Sequence, residues 1–174
     1  MILATLTLAA ATVIPLEPGT WWEYQELARE KVGALWSASE DTATFSVRGR
    51  PGSLFLGQRG GSDPSVAPIE VTERSLRLGV WTGEEALPLP LEVGAEGPAP
   101  AEGLSGWQVE AEEEVEVPAG NFATFRCAVR TPRTESVLWI APGVGIVRET
   151  YGTPGDPPLI ERELVRWSGS SKTQ

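Results

Sequence analysis

The sequence contains no histidine, one cysteine (Cys127) and one methionine. Without imidazole there is no Ser-His-Asp or Cys-His relay and no His-ligated zinc or iron. A single cysteine forms no internal disulfide, no CxxC redox pair and no thiolate zinc site. Positive charge is scarce: 14 Lys and Arg face 24 Asp and Glu, a formal net charge of −10. Affinity for nucleic acid comes largely from Lys and Arg at phosphates, so no nucleic acid is expected as a partner. No phosphate-binding loop is present either. Neither Gly57–Gly61 nor Gly143-Val144-Gly145 is followed by Lys-Ser or Lys-Thr.

What the chain does have is turn chemistry. Gly (19) and Pro (15) make up about a fifth of its 174 residues, which implies many short elements. Residues 1–14 (MILATLTLAAATVI) carry no charge and fall short of the roughly 20 apolar residues that span a bilayer. They read either as the remnant of an export signal, with Ala9-x-Ala11 as the cleavage pattern and no basic start, or as a first strand. Residues 15–167 form a single β-rich domain, and 168–174 (SGSSKTQ) a flexible polar tail. The best helical candidate is Trp21–Leu35, although its first half also alternates as a strand. Gly49–Pro68 reads as a loop, and the Pro-rich stretch Pro88–Pro100 as an irregular path over the surface. Five strand candidates follow: Trp107–Val117, Ala123–Arg130, Glu135–Ala141, Gly145–Tyr151 and Leu159–Trp167. The expected class is all-β, or β with one short helix, built as a curved antiparallel meander sheet or partial barrel.

The hairpin around Pro118-Ala119-Gly120-Asn121 is the best-patterned piece. In Trp107–Val117 one face is nearly apolar and the other carries Glu110, Glu112, Glu114 and Glu116. In the next strand Ala123, Phe125, Cys127 and Val129 share a face. Matching faces sets Val117 against Ala123, Val115 against Phe125, Glu114 against Arg126 and Glu110 against Arg130, with a loop over Pro118–Phe122.

Little here points to chemistry. The glutamate stripe lacks the Asp/Asn/Gly turn of a calcium loop and reads as a solvated face. Cys127 lies on the apolar face and reads as a small buried hydrophobe. No catalytic residue, metal site or cofactor is assigned. Seven Trp stand out against two Tyr and four Phe. Most should fill the core. Trp107, Trp139 and, more weakly, Trp81 are the candidates to line a concave apolar site.

Four motifs then suggest a family: Ile14-Pro15-Leu16-Glu17-Pro18-Gly19-Thr20-Trp21, Leu87-Pro88-Leu89-Pro90-Leu91-Glu92-Val93-Gly94, Val117-Pro118-Ala119-Gly120-Asn121-Phe122 and Ala141-Pro142-Gly143-Val144-Gly145-Ile146-Val147-Arg148. In that order they resemble exported bacterial envelope proteins of unknown function, the TapB-like or DUF-type group. The resemblance covers about Ile14–Trp167. It implies a periplasmic, envelope or secreted location and a curved sheet similar to lipoprotein-carrier folds; a cytoplasmic location also remains open. The chain departs from the pattern in having no lipobox cysteine, and in having Gly97 where an aromatic is expected. The functional expectation is a non-enzymatic envelope protein whose partner is an apolar small molecule or a protein bound on a curved sheet. The alternatives are a small hydrolase using carboxylates only, or a purely structural or assembly protein.

Pro142-Gly143 should turn the chain between two antiparallel strands, with Gly143 at positive φ. Gly143→Val is therefore expected to lower unfolding free energy by about 1 kcal/mol or more in denaturant titrations.

Overall fold

The computed structural model describes residues 13–50, 52–61, 65–99, 101 and 105–168. The described residues include eleven strands and a short helix. The first group is β1 (Trp21–Val32), β2 (Leu35–Arg50), β3 (Ser53–Gly60), β4 (Val66–Val71), β5 (Ser75–Leu78), α1 (Gly79–Thr82) and β6 (Leu87–Pro88). The second is β7 (Gln108–Val117), β8 (Gly120–Arg130), β9 (Glu135–Ala141), β10 (Gly145–Gly152) and β11 (Ile160–Trp167). All lie in one antiparallel sheet, in the order β6-β5-β4-β3-β2-β1-β11-β10-β9-β8-β7, curled into a nearly closed barrel.

That order is two meanders, β1–β6 and β7–β11, joined where β1 pairs with β11. Every strand pairing among the described residues is antiparallel. Counting reversals round the sheet leaves β6 and β7 pointing the same way. They cannot be a hairpin, so the chain must cross back between them. Residues 94–97 make that crossing. They run antiparallel to β7, through Gly94 N to Val109 O (2.8 Å), Val109 N to Ala95 O (2.9 Å) and Gly97 N to Trp107 O (2.7 Å). This segment acts as an irregular twelfth strand at the seam. Its closest approach is at Gly97, where a Cβ would lie 2.1 Å from the backbone oxygen of Ala86. The Pro-rich stretch is thus irregular, as expected, but does not simply run over the surface: Leu87, Leu89 and Leu91 are buried in the core.

Several local expectations are corrected. Trp21–Leu35 is not helical; its alternation continues through β1, and Trp22, Tyr24 and Glu26 point inward. The helix is instead α1. Gly49–Pro68 is not a loop, since it contains β3 and the start of β4. The β7–β8 register also differs from the expected one. Val117 pairs with Gly120, Val115 with Phe122 and Glu114 with Ala123. Two features shift it. The turn is the tight pair Pro118-Ala119, and a bulge between Val109 and Ala111 resets the alternation so that Val109 meets Cys127. A bulge inserts one residue and switches facing parity, which a straight two-residue period does not anticipate. The β9–β10 turn behaves as read: Ala141 pairs with Gly145, and Gly143 has φ 79°.

Ile14, at the end of the uncharged segment, is fully buried, and Val13 O accepts a hydrogen bond from Gly143 N. Residues 1–12 and 169–174, on which most of the signal and tail expectations fall, lie outside the described residues.

Because the seam depends on backbone contact at Gly97, Gly97→Ala should destabilise by about 1–3 kcal/mol through overpacking. Urea unfolding of the variant checks this; an unchanged midpoint would show that the crossing gives way freely.

Candidate functional site

Inside the barrel, alternation carries one inward row across five strands. Cys127, Leu138, Glu149, Arg162 and Glu26 are successive cross-strand partners on β8, β9, β10, β11 and β1. Three of them are charged, and all three are nearly inaccessible: Glu149 is 5% exposed, Arg162 4% and Glu26 1%. Arg162 Nε donates to Glu26 Oε2 at 2.7 Å, and its Nη1 to Glu149 Oε2 at 2.8 Å. The guanidinium carbon also sits 5.2 Å from the Phe45 ring centre. Burial pushes the Glu149 carboxyl above its ordinary range; Arg162 opposes the shift, and the Glu26 carboxylate adds to it. The Arg162 guanidinium is held protonated: burial works against it, but the two carboxylates outweigh burial.

Aromatic side chains fill the space beside this triad. Trp81, dropped in from α1, stacks on Phe45 with ring centres 4.5 Å apart, and meets Trp22 edge-on at 5.6 Å. Tyr24 packs edge-on to Phe45 at 5.4 Å. Two hydrogen bonds cross the interior from β1: Trp22 Nε1 to Val144 O (2.6 Å) and Tyr24 Oη to Ile146 O (2.7 Å). Burial raises the Tyr24 phenol well above its usual range, so it stays a donor at any physiological pH.

The three Trp singled out from the sequence do not come together. Trp81 and Trp107 are buried in the core, 4% and 1% exposed, and neither indole N–H has an acceptor among the described residues. Trp139 lies on the other face of β9 from Leu138 and Ile140. Its ring sits between the guanidinium groups of Arg148 (5.3 Å) and Arg126 (5.8 Å), and its Nε1 donates to Glu113. Cys127 is fully buried, and burial pushes its thiol up to about 12, the state of an inert thiol.

The outside of the sheet offers a groove of about 660 Å³ along the seam, between residues 93–96 and the strands β7 and β8. Glu110, Arg126 and Arg130 define its charged wall. The Glu110 carboxylate binds both arginines, and Arg130 Nε also donates to Glu135 at 2.6 Å. The Arg130 hydrogen bond chiefly holds the Glu110 carboxyl below its ordinary value. The expected Glu110–Arg130 pair therefore forms. Arg126 joins the same carboxylate rather than Glu114, a consequence of the shifted register. A second, smaller depression of about 410 Å³ lies over Glu112, Glu114, Phe125 and Pro142. Further round, Glu161 takes Arg148 (2.6 Å) and Arg29 (3.3 Å). Burial would raise its carboxyl, but the two cations hold it below its usual range.

Sequence reasoning missed the interior triad. Its signal was present: Glu26 continues the Trp22-Tyr24 inward parity, and Arg162 shares a face with Leu164. A charge on each apolar face called for a partner.

The class these features define is a near-closed antiparallel barrel with a packed interior and a charged external seam. No protein-family model matches the chain, and no curated protein does. Among solved structures it is similar to an exported protein with a YmcC-like fold from Bacteroides fragilis, at 11% identity and TM-score 0.52, over 90% of this chain and 99% of that one. It is also similar to a lipoprotein from Parabacteroides distasonis, at 13% identity and TM-score 0.53, over 90% and 99%. MucB overlaps at TM-score 0.46 and 13% identity, over 92% of this chain and 55% of its own. At these identities the likeness is one of fold. Among the described residues no helix is long and apolar enough to cross a membrane.

Removing the central cation leaves two buried carboxylates. Arg162→Met should therefore destabilise by about 3–5 kcal/mol. Adding Glu26→Gln and Glu149→Gln to that variant should recover much of the loss. Chemical denaturation of the single and triple variants checks both; equal loss in the two would place the effect in packing rather than charge.

Proposed function

We propose that this is a non-enzymatic cell-envelope protein that binds a partner protein on the outside of its curved sheet, at the seam groove. The observation that carries this reading is the filled interior. The Trp22-Tyr24-Phe45-Trp81 cluster and the Glu26–Arg162–Glu149 triad occupy the space an apolar ligand would need. Trp81 and Trp107 act as core residues in this reading rather than as a ligand lining. The groove on the outer wall is concave and charged, a combination suited to orienting a protein partner. An envelope location is supported by the fold shared with proteins described as exported and as a lipoprotein, by the uncharged stretch at residues 1–14, and by the four motifs that resemble TapB-like envelope proteins.

Titrating the folded protein with a fluorescent fatty acid should give no saturable binding. A photo-crosslinking residue at Gln108, in the groove, should form a discrete adduct in intact cells, whereas one at Asp156, in the β10–β11 loop, should not. Saturable fatty-acid binding that alters Trp fluorescence would return the function to ligand carriage. Absence of a Gln108-specific adduct would remove the groove from the account.

A further inference from the structure

The longest hairpin of the molecule, β1–β2, outruns the sheet. The last β1–β11 pair is Ala28 with Ile160, followed by one bond from Arg29 N to Leu159 O. On the other side β3 first meets β2 at Ala43. Past Arg29 the hairpin continues for three more pairs, Glu30–Ser37, Lys31–Trp36 and Val32–Leu35, as a ribbon with no third strand among the described residues. A strand rise of about 3.3 Å per residue carries the tip roughly 10 Å beyond the sheet. Gly33 takes φ 64° at the first position of a two-residue turn, the conformation a tight hairpin needs from glycine there.

The order of chemistry along this ribbon is graded. At the tip Leu35 is 75% exposed and Val32 61%, the first and third most exposed large hydrophobic residues among those described, with Val66 at 62% ranking between them. Gly33 and Ala34 complete an uncharged end. One pair further back, the Lys31 ammonium lies 5.5 Å from the Trp36 ring centre. One pair further still come the polar Glu30 and Ser37. Apolar residues first, then an indole with a lysine at one level, then polar groups: this is the sequence of environments met on leaving the acyl region of a bilayer through its interface. Burying the turn and the first pair needs a depth of about 5–10 Å, the range reached by interfacial segments.

We propose that the β1–β2 tip docks the protein onto a lipid bilayer surface, with Val32 and Leu35 entering the acyl boundary and Lys31 and Trp36 resting at the headgroups. A net charge of −10 opposes approach to anionic lipid, so the attraction is apolar and zwitterionic bilayers are preferred. The inference uses a different part of the molecule from the seam groove, and either can fail without the other.

Co-flotation of the full chain with phosphatidylcholine vesicles tests it. The wild type should float with them, and binding should be little changed by 0.5 M salt, a concentration of about three times physiological. The double variant Val32→Asp with Leu35→Asp should lose binding by at least about tenfold, while keeping its near-UV circular dichroism because both side chains lie outside the core. A Leu35→Cys variant labelled with an environment-sensitive dye should shift to the blue on adding vesicles; a Glu40→Cys label, on the open edge of β2 away from the tip, should not. Cys127, being buried, leaves the added thiol as the reactive one. Failure of the wild type to float, equal binding by the double variant, or binding seen only on phosphatidylglycerol at low salt would each overturn the proposal. The first of these would leave the tip as a contact for a soluble protein.

Discussion

The joint between β1 and β11 holds the fold together, and one guanidinium fixes its register. The chain closes its barrel by bringing together strands well over a hundred residues apart in sequence. No tight turn sets their alignment. Arg162 on β11 reaches Glu26 on β1 and Glu149 on β10, so three adjacent strands are pinned by one side chain. A one-residue slip of β11 would turn Arg162 to the outside and leave two carboxylates buried without a cation. A buried ion pair adds little net stability compared with a well-packed apolar core, yet breaking one is costly. That asymmetry makes the triad a device for alignment more than for strength.

The opposite side of the barrel is closed by different means. Ten antiparallel pairings join all eleven strands into the sheet, but they leave β6 and β7 at its two ends pointing the same way. The crossing through residues 94–97 resolves this with backbone hydrogen bonds and one close approach at Gly97. The groove beside this seam exists because an irregular segment packs less fully than a regular strand. Its charged wall follows from the bulge at Val109–Ala111, which lets a single carboxylate, Glu110, meet both Arg126 and Arg130.

These two closures decide what the molecule can offer. The interior is committed to the triad and to the aromatic cluster around Trp81, so both proposals look to the surface, to the seam groove and to the protruding end of the β1–β2 hairpin. Arginines that pair with glutamates around the outer wall, including Arg148 and Arg29 on Glu161, keep that surface charged.

Periodicity in the sequence was enough to determine the all-β class, the five strands of the second meander, and the turn at Gly143. Each of these rests on local rules, two-residue alternation and the freedom of glycine at positive φ. Alternation also placed Cys127 inside. It could not determine the β7–β8 register, because a bulge changes parity and only packing against the neighbouring strands selects it. Nor could it say that Trp21–Leu35 would be a strand: the segment alternates and could also coil, and its pairing with β11 settles the matter. The sites of Trp81, Trp107 and Trp139 were likewise undecided: Trp139 lies on a strand whose inward face only the closed barrel defines, and Trp81 on α1 and Trp107 just before β7 are buried by tertiary packing. The charges at Glu26 and Arg162 were legible as misfits on apolar faces. That they meet was decided by closure of the barrel, because nothing local relates residues 136 positions apart.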